Sequence, residues 1–168
     1  MAYKNILVGI DGSKRAERAF ETAVDLAKVF SAKLYLVWVV NRDRGMDSSF
    51  GVNEDFYQDF AKRTKKQLQI YLKKAQDKGA DASATVIIGS IKTVLAYDFP
   101  DQHDIDLIVL GSTGINAVEK MLQGSHTDYV VRHAKADVLV VNSSCQGRCA
   151  GSQVDRFFID TSLRRKFP

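Results

Sequence analysis

The chain reads as an α/β protein: a doubly wound, five-stranded parallel sheet in the order 3-2-1-4-5, with helices on both faces. Three observations predict it. Short β-branched apolar runs alternate with longer segments of helical periodicity as far as residue 142. Those runs carry no interrupting polar residue, as expected of strands buried on both faces. At 45% hydrophobic and 26% charged the composition is that of a globular chain, and no apolar run approaches the ~20 residues needed to span a bilayer. Right-handed crossovers then limit the topology to the order given.

Each element follows from its own residues. Ile6-Leu7-Val8-Gly9-Ile10 is the first strand, closed by Asp11-Gly12-Ser13, where Ser13 can cap the next helix. In that helix Ala16, Ala19, Phe20, Ala23, Ala27 and Phe30 recur at spacings of three and four, giving one apolar face. Residues 33–40, KLYLVWVV, form the second strand, and the polar stretch 41–52 is a loop. A long helix from Glu54 to Lys78 should bury Tyr57, Phe60, Ala61, Leu68, Tyr71, Leu72 and Ala75, with Gly79 as its stop. Ala84-Thr85-Val86-Ile87-Ile88 is the third strand, ended by Gly89. A short helix turns Ile91, Val94 and Leu95 inward until Pro100 breaks it. Leu107-Ile108-Val109-Leu110 is the fourth strand, a helix runs from about Ser125 to His133, and residues 137–141 form the fifth.

The fourth strand opens into Gly111-Ser112-Thr113-Gly114, with Gly124-Ser125 nine residues later at a helix start. Glycines and small hydroxyl residues between a strand end and a helix N-terminus suit a phosphate, because amide N–H groups and the helix dipole both attract an anion. Asp11 follows strand one and Gly111 follows strand four. The winding reverses between those strands, so both residues fall on one crevice at the carboxyl ends of the sheet. Taken singly, each could be a turn or cap residue. No G-x-x-x-x-G-K-[ST] loop and no G-x-G-x-x-G turn is present, which argues against P-loop enzymes and dinucleotide oxidoreductases.

The spacing G-x2-G-x9-G-[ST], met by Gly111, Gly114, Gly124 and Ser125, resembles the ATP-binding members of the universal stress protein family. The likeness runs over residues 2–142 and includes the opening 6–13, Trp38-Val39-Val40, Gly89 and the close 134–141. It implies adenine near the Val39 backbone, ribose on Asp11 with Ile10 beside it, and phosphates held around Gly111, Ser112, Gly114, Gly124, Ser125, His126 and Thr127. The implied ligand is ATP, or ADP or AMP, with Mg²⁺ or Mn²⁺ on the phosphate oxygens. It also implies a homodimer through strand 137–141. The sequence departs from the family's pattern at His126, where a small or apolar residue is commoner, and at Asp137, where proline is frequent.

Residues 1–142 are thus expected to form a nucleotide-binding domain and 143–168 a tail without a family counterpart. Cys145 and Cys149, in that tail, read as exposed thiols, since a C-x3-C pair alone cannot supply zinc's four ligands. His103, in an acidic stretch, reads as part of a solvated loop, and His133 as a helix-terminal cation. The net charge of +4 is mild, and its basic clusters at 62–66 and 164–166 read as a solvated helix face and a tail rather than a nucleic-acid interface. A chain that opens at Met1 and enters a strand at once shows no signal-peptide pattern, so the cytoplasm is the expected compartment, with no membrane partner. No metal-ligating set and no catalytic residue is assigned. The expected role is adenine-nucleotide binding in stress response or signalling with little or no catalysis. Two alternatives are a slow ATPase or self-phosphorylating enzyme using Ser125 or Thr113, and a nucleotide-free dimeric interaction module.

Overall fold

A computed structural model describes residues 3–41, 54–112 and 126–142. Its elements are β1 (Asn5–Gly9), α1 (Lys14–Phe30), β2 (Lys33–Asn41), α2 (Glu54–Asp77), β3 (Ala82–Gly89), α3 (Ile91–Thr93), a π-helical turn (Val94–Asp98), α4 (Phe99–His103), β4 (Leu107–Gly111), α5 (His126–His133) and β5 (Asp137–Val141). All strand pairs are parallel, in the order β3-β2-β1-β4-β5. The expected fold is therefore the observed one.

Alternation along each strand divides the apolar side chains between two cores. Ile6 and Val8 of β1, Leu34 and Leu36 of β2, and Leu107 and Val109 of β4 pack beneath α1 and α2, against Phe20, Val24, Leu68 and Ala75. Leu7, Val37, Ile108 and Leu110 face the opposite way, against Val94, Leu95, Phe99 and Val130. β1, central in the sheet, has Ile6, Leu7 and Val8 completely buried, whereas β5 at the edge buries only Leu139. None of the described helices is long and apolar enough to cross a membrane.

Local chemistry sets the helix ends. Ser13 Oγ accepts from the Ala16 N–H at 3.1 Å, the expected cap of α1. Beyond α2, Gly79 takes φ +82°, and the Ala80 N–H returns to the Ala75 carbonyl at 3.0 Å.

Three expectations need correction. Pro100 does not break the third helical segment, which continues to His103. The Phe99 N–H donates to the Val94 carbonyl, an i→i+5 bond that resets the turn just before the proline. Pro100 then occupies the first turn of α4, where its missing N–H costs nothing. His103 is accordingly not in a solvated loop: its ring lies 4.1 Å from that of Phe99 and 5.1 Å from that of Tyr35. Phe60 is 45% exposed instead of buried, while Thr64, one turn on, is buried, so the inward face of α2 runs through Tyr57, Thr64, Leu68 and Ala75. The stretch 143–168, with Cys145 and Cys149, lies outside the described residues.

Candidate functional site

The site begins where β1 stops. The Ile10 N–H donates to the Val37 carbonyl at 2.9 Å, the last bond joining the first two strands. The chain then turns through Asp11-Gly12-Ser13. Asp11 Oδ1 accepts from the Ser13 N–H at 2.8 Å, closing an Asx turn. Gly12 takes φ +79°, and a Cβ there would stand 3.0 Å from the Trp38 ring, so the turn lies directly over that indole. Ser13, whose N–H donates this bond, caps α1 with its Oγ, and the first turn of α1 lines the crevice.

Because β1 leaves the sheet here, β2 runs on alone. Strand registry ends at Gly9↔Val37, whereas β2 continues to Asn41 with β3 on its other side. In a strand the N–H and C=O of alternate residues point to the same neighbour. Val37 uses its carbonyl toward β1, so the polar edge of Val39 lies on that same side, past the end of β1. This is an in-plane donor and acceptor pair opening onto the crevice.

The other lip is built by β4, β5 and α5. The Ser112 N–H donates to the Val141 carbonyl at 2.9 Å, extending the ladder one residue beyond β4, and its hydroxyl pairs with Asn142 Oδ1 at 3.3 Å. Thr127 Oγ1 donates to the Gly111 carbonyl at 3.2 Å, tying α5 to the strand end. A Cβ at Gly111 would fall 2.8 Å from the backbone carbon and oxygen of Arg15. Glycine is therefore required at 111 by the close approach of α1, whatever the crevice holds.

Together these elements enclose a cleft of about 200 Å³. Of the residues expected at a nucleotide site, Ile10, Asp11, Val39, Gly111, Ser112, His126 and Thr127 line it; Gly114, Gly124 and Ser125 lie outside the described residues. Sequence reasoning missed Ser13, Arg15, Val37, Ile91, Leu95 and Leu110. Val37 could have been found from Val39, two residues on along the same face of β2. Arg15 had no such signal, since a cation on an exposed helix turn reads as solvated. Chemically the cleft has an apolar wall (Val37, Val39, Leu95, Leu110), a carboxylate (Asp11), a guanidinium (Arg15) and the opening residues of α1, α3 and α5, whose dipoles favour an anion. Among the described residues no group of three His, Cys, Asp or Glu could hold a metal ion.

The chain has relatives. Residues 2–142 match the model of the universal stress protein family. A Staphylococcus aureus (strain USA300) relative bearing the universal stress protein name is 37% identical over 145 residues, 85% of this chain and 86% of the relative. The universal stress protein UspA from Lactobacillus plantarum superposes with a TM-score of 0.69 at 31% identity, over 84% of this chain and 99% of that one. A universal stress protein in complex with cAMP superposes with a TM-score of 0.68 at 26% identity, covering 86% of this chain and all (100%) of the other.

Proposed function

The chain belongs to the universal stress protein family, and on that premise we propose that its cleft binds an adenine nucleotide, ATP foremost and ADP or AMP besides, in a cytoplasmic stress or signalling role. One observation carries the reading: the polar edge of Val39 stands past the end of β1, beside the apolar wall formed by Val37 and Leu95. A purine needs that combination, a flat apolar slot with an in-plane donor and acceptor at its rim. Asp11 is placed to accept from ribose hydroxyls through Oδ2, which carries no hydrogen bond among the described residues. On the phosphate side the Ser112 amide is already committed to Val141, so Ser112 can donate to a phosphate oxygen only through its hydroxyl, turned away from Asn142 Oδ1. The sequence pattern assigns Gly114, Gly124 and Ser125 to the same lip, and the cAMP complex of a relative supports an adenine ligand.

The residues present fit a Mg²⁺ or Mn²⁺ that arrives on the phosphates. Asp11 is the one carboxylate among the described lining residues, so the ion would keep mostly phosphate and water oxygens, as Mg²⁺ readily does. Bound there, it would offset phosphate charge. With Asp11 engaged by Ser13 and assigned to ribose, the site is read as one of binding rather than turnover. Mass spectrometry of ligand released from freshly purified, denatured chain, with calorimetric titration of ATP, tests this. Release of an adenine nucleotide and saturable ATP binding are expected, with ATP intact over hours; neither release nor binding would refute the reading.

The proposal extends to assembly. β5 is an edge strand, its Val138, Val140 and Val141 only partly covered, and such an edge invites pairing with a second copy about a two-fold axis. Light scattering should show a homodimer for the full chain and for a truncation after Asn142. A full-length monomer that dimerises only on truncation would instead give the edge-covering role to the tail.

A further inference from the structure

Arg15 is an exposed cation that lines the cleft. It stands in the first turn of α1 beside Lys14, where the positive end of the helix dipole repels it. Among the described residues its side chain makes no ion pair or hydrogen bond, unlike Lys74, which meets Glu17 at 3.3 Å, and Arg132, which meets Asp128 at 3.2 Å. Yet its position is fixed. Its backbone carbonyl packs where a Cβ of residue 111 would be, at 2.8 Å, and the Gly111 carbonyl in turn holds Thr127 at the start of α5. Arg15 is thus anchored at the Gly111 end of the cleft, which it lines, and away from the Val39 end where a base would sit. Arg15 is exposed and solvated in the free chain, so an anionic group entering the cleft would meet its guanidinium in place of water.

We infer that Arg15 is a specificity-determining residue that grades adenine ligands by phosphate charge, favouring the triphosphate over the monophosphate and the cyclic monophosphate. This rests on the nucleotide reading of the cleft. The mechanism is electrostatic. A guanidinium donates charge-assisted hydrogen bonds to phosphate oxygens, and each further phosphate brings more charge within its reach. Adenosine presents no such oxygen, so Arg15 contributes nothing to its binding.

Calorimetric titration of the full chain with ATP, AMP, cAMP and adenosine, repeated for Arg15→Gln and Arg15→Lys, is the test. Arg15→Gln should weaken ATP about tenfold or more, AMP by roughly threefold, cAMP by less than AMP, and adenosine by less than about twofold. Arg15→Lys should recover much of the ATP loss, and the salt dependence of ATP binding should flatten in the Gln variant alone. Equal losses for all four ligands would overturn the inference, because they would place the effect in the α1–Gly111 packing rather than in charge. Unchanged ATP affinity in Arg15→Gln would overturn it as well. A wild-type chain that binds none of the four refutes the nucleotide reading itself, and the assignment of Arg15 with it; adenosine binding without an ATP preference refutes only the latter.

Discussion

The two ends of the sheet are made of the same strands and treat their polar groups in opposite ways. At the amino end they are spent on one another. Asp106 accepts from the Lys4 and Asn5 N–H groups at 2.8 and 3.2 Å, and the Asp106 N–H returns to the Asn5 carbonyl at 3.1 Å. The Tyr3 hydroxyl donates to Asp137 Oδ2 at 3.0 Å, linking the chain's start to β5, and the Asn5 side chain reaches the Asp104 carbonyl. At the carboxyl end the strands stop at different heights. β1 quits at Gly9, β2 runs on to Asn41, and the step between them leaves the Val39 edge and Asp11 Oδ2 turned to the cleft. Hydrogen bonds closed within the chain stabilise the fold, whereas groups left open at a rigid edge are available to a ligand. In a parallel sheet only the carboxyl end also collects helix N-termini, which explains why the open end is that one.

Substitutions that affect one end and spare the other would sharpen this contrast, and one that failed to would break it. The largest effect is expected from Gly111→Val, since its Cβ meets backbone that cannot swing aside. A loss of about 3 kcal/mol in urea denaturation is expected, the upper end for overpacking, with nucleotide binding lost too because α1 must move. Asp106→Ala should cost about 2 kcal/mol by the same measurement while leaving ATP affinity unchanged, because two backbone donors lose a charged acceptor far from the cleft. Asp11→Ala should reverse that pattern, lowering ATP and adenosine affinity alike by roughly 1–2 kcal/mol in calorimetry with a smaller change in stability. A loss confined to ATP would show Asp11 acting through the metal rather than on ribose.

The smallest effect concerns Tyr3. Burial first, and then the hydrogen bond to Asp137, raises its phenol above the ordinary 10.0. The folded chain keeps this proton where the unfolded chain releases it. The stability it contributes is therefore complete below pH 10.0 and lost as pH climbs through the raised value. Tyr3→Phe should cost less than about 1 kcal/mol near neutrality and should flatten the decline in stability on the alkaline side, read from thermal melts at several pH values.

Much of this was legible before any coordinates, and the failures are instructive. Strand order followed from uninterrupted apolar runs and crossover handedness, which are local or generic. Asp11 and Gly111 were legible because strand ends at a switch point can be located by pattern alone, whereas Val39 was implied only by the family resemblance. Pro100 was misjudged because a proline's effect depends on the register of the turn before it, and the i→i+5 bond from Phe99 changes that register without a sequence signature. Phe60 was misjudged because helical spacing gives the angle of a face but not how far the sheet beneath extends. Arg15 was invisible for a different reason: a charge's role is defined by what lies across space from it.

The sequence by itself determined the class of fold, the five strands and their order, and the two turns that flank the cleft, because periodicity, glycine placement and chirality act over short stretches of chain. The tertiary structure alone decided how those turns are used. It committed the Ser112 amide to Val141, required glycine at 111 to admit the Arg15 backbone, and left the edge of Val39 open by ending β1 earlier than β2. Each of these depends on the relative heights and separations of strands distant in sequence. Those are fixed by how the two cores pack, to within an ångström, and no local pattern encodes them.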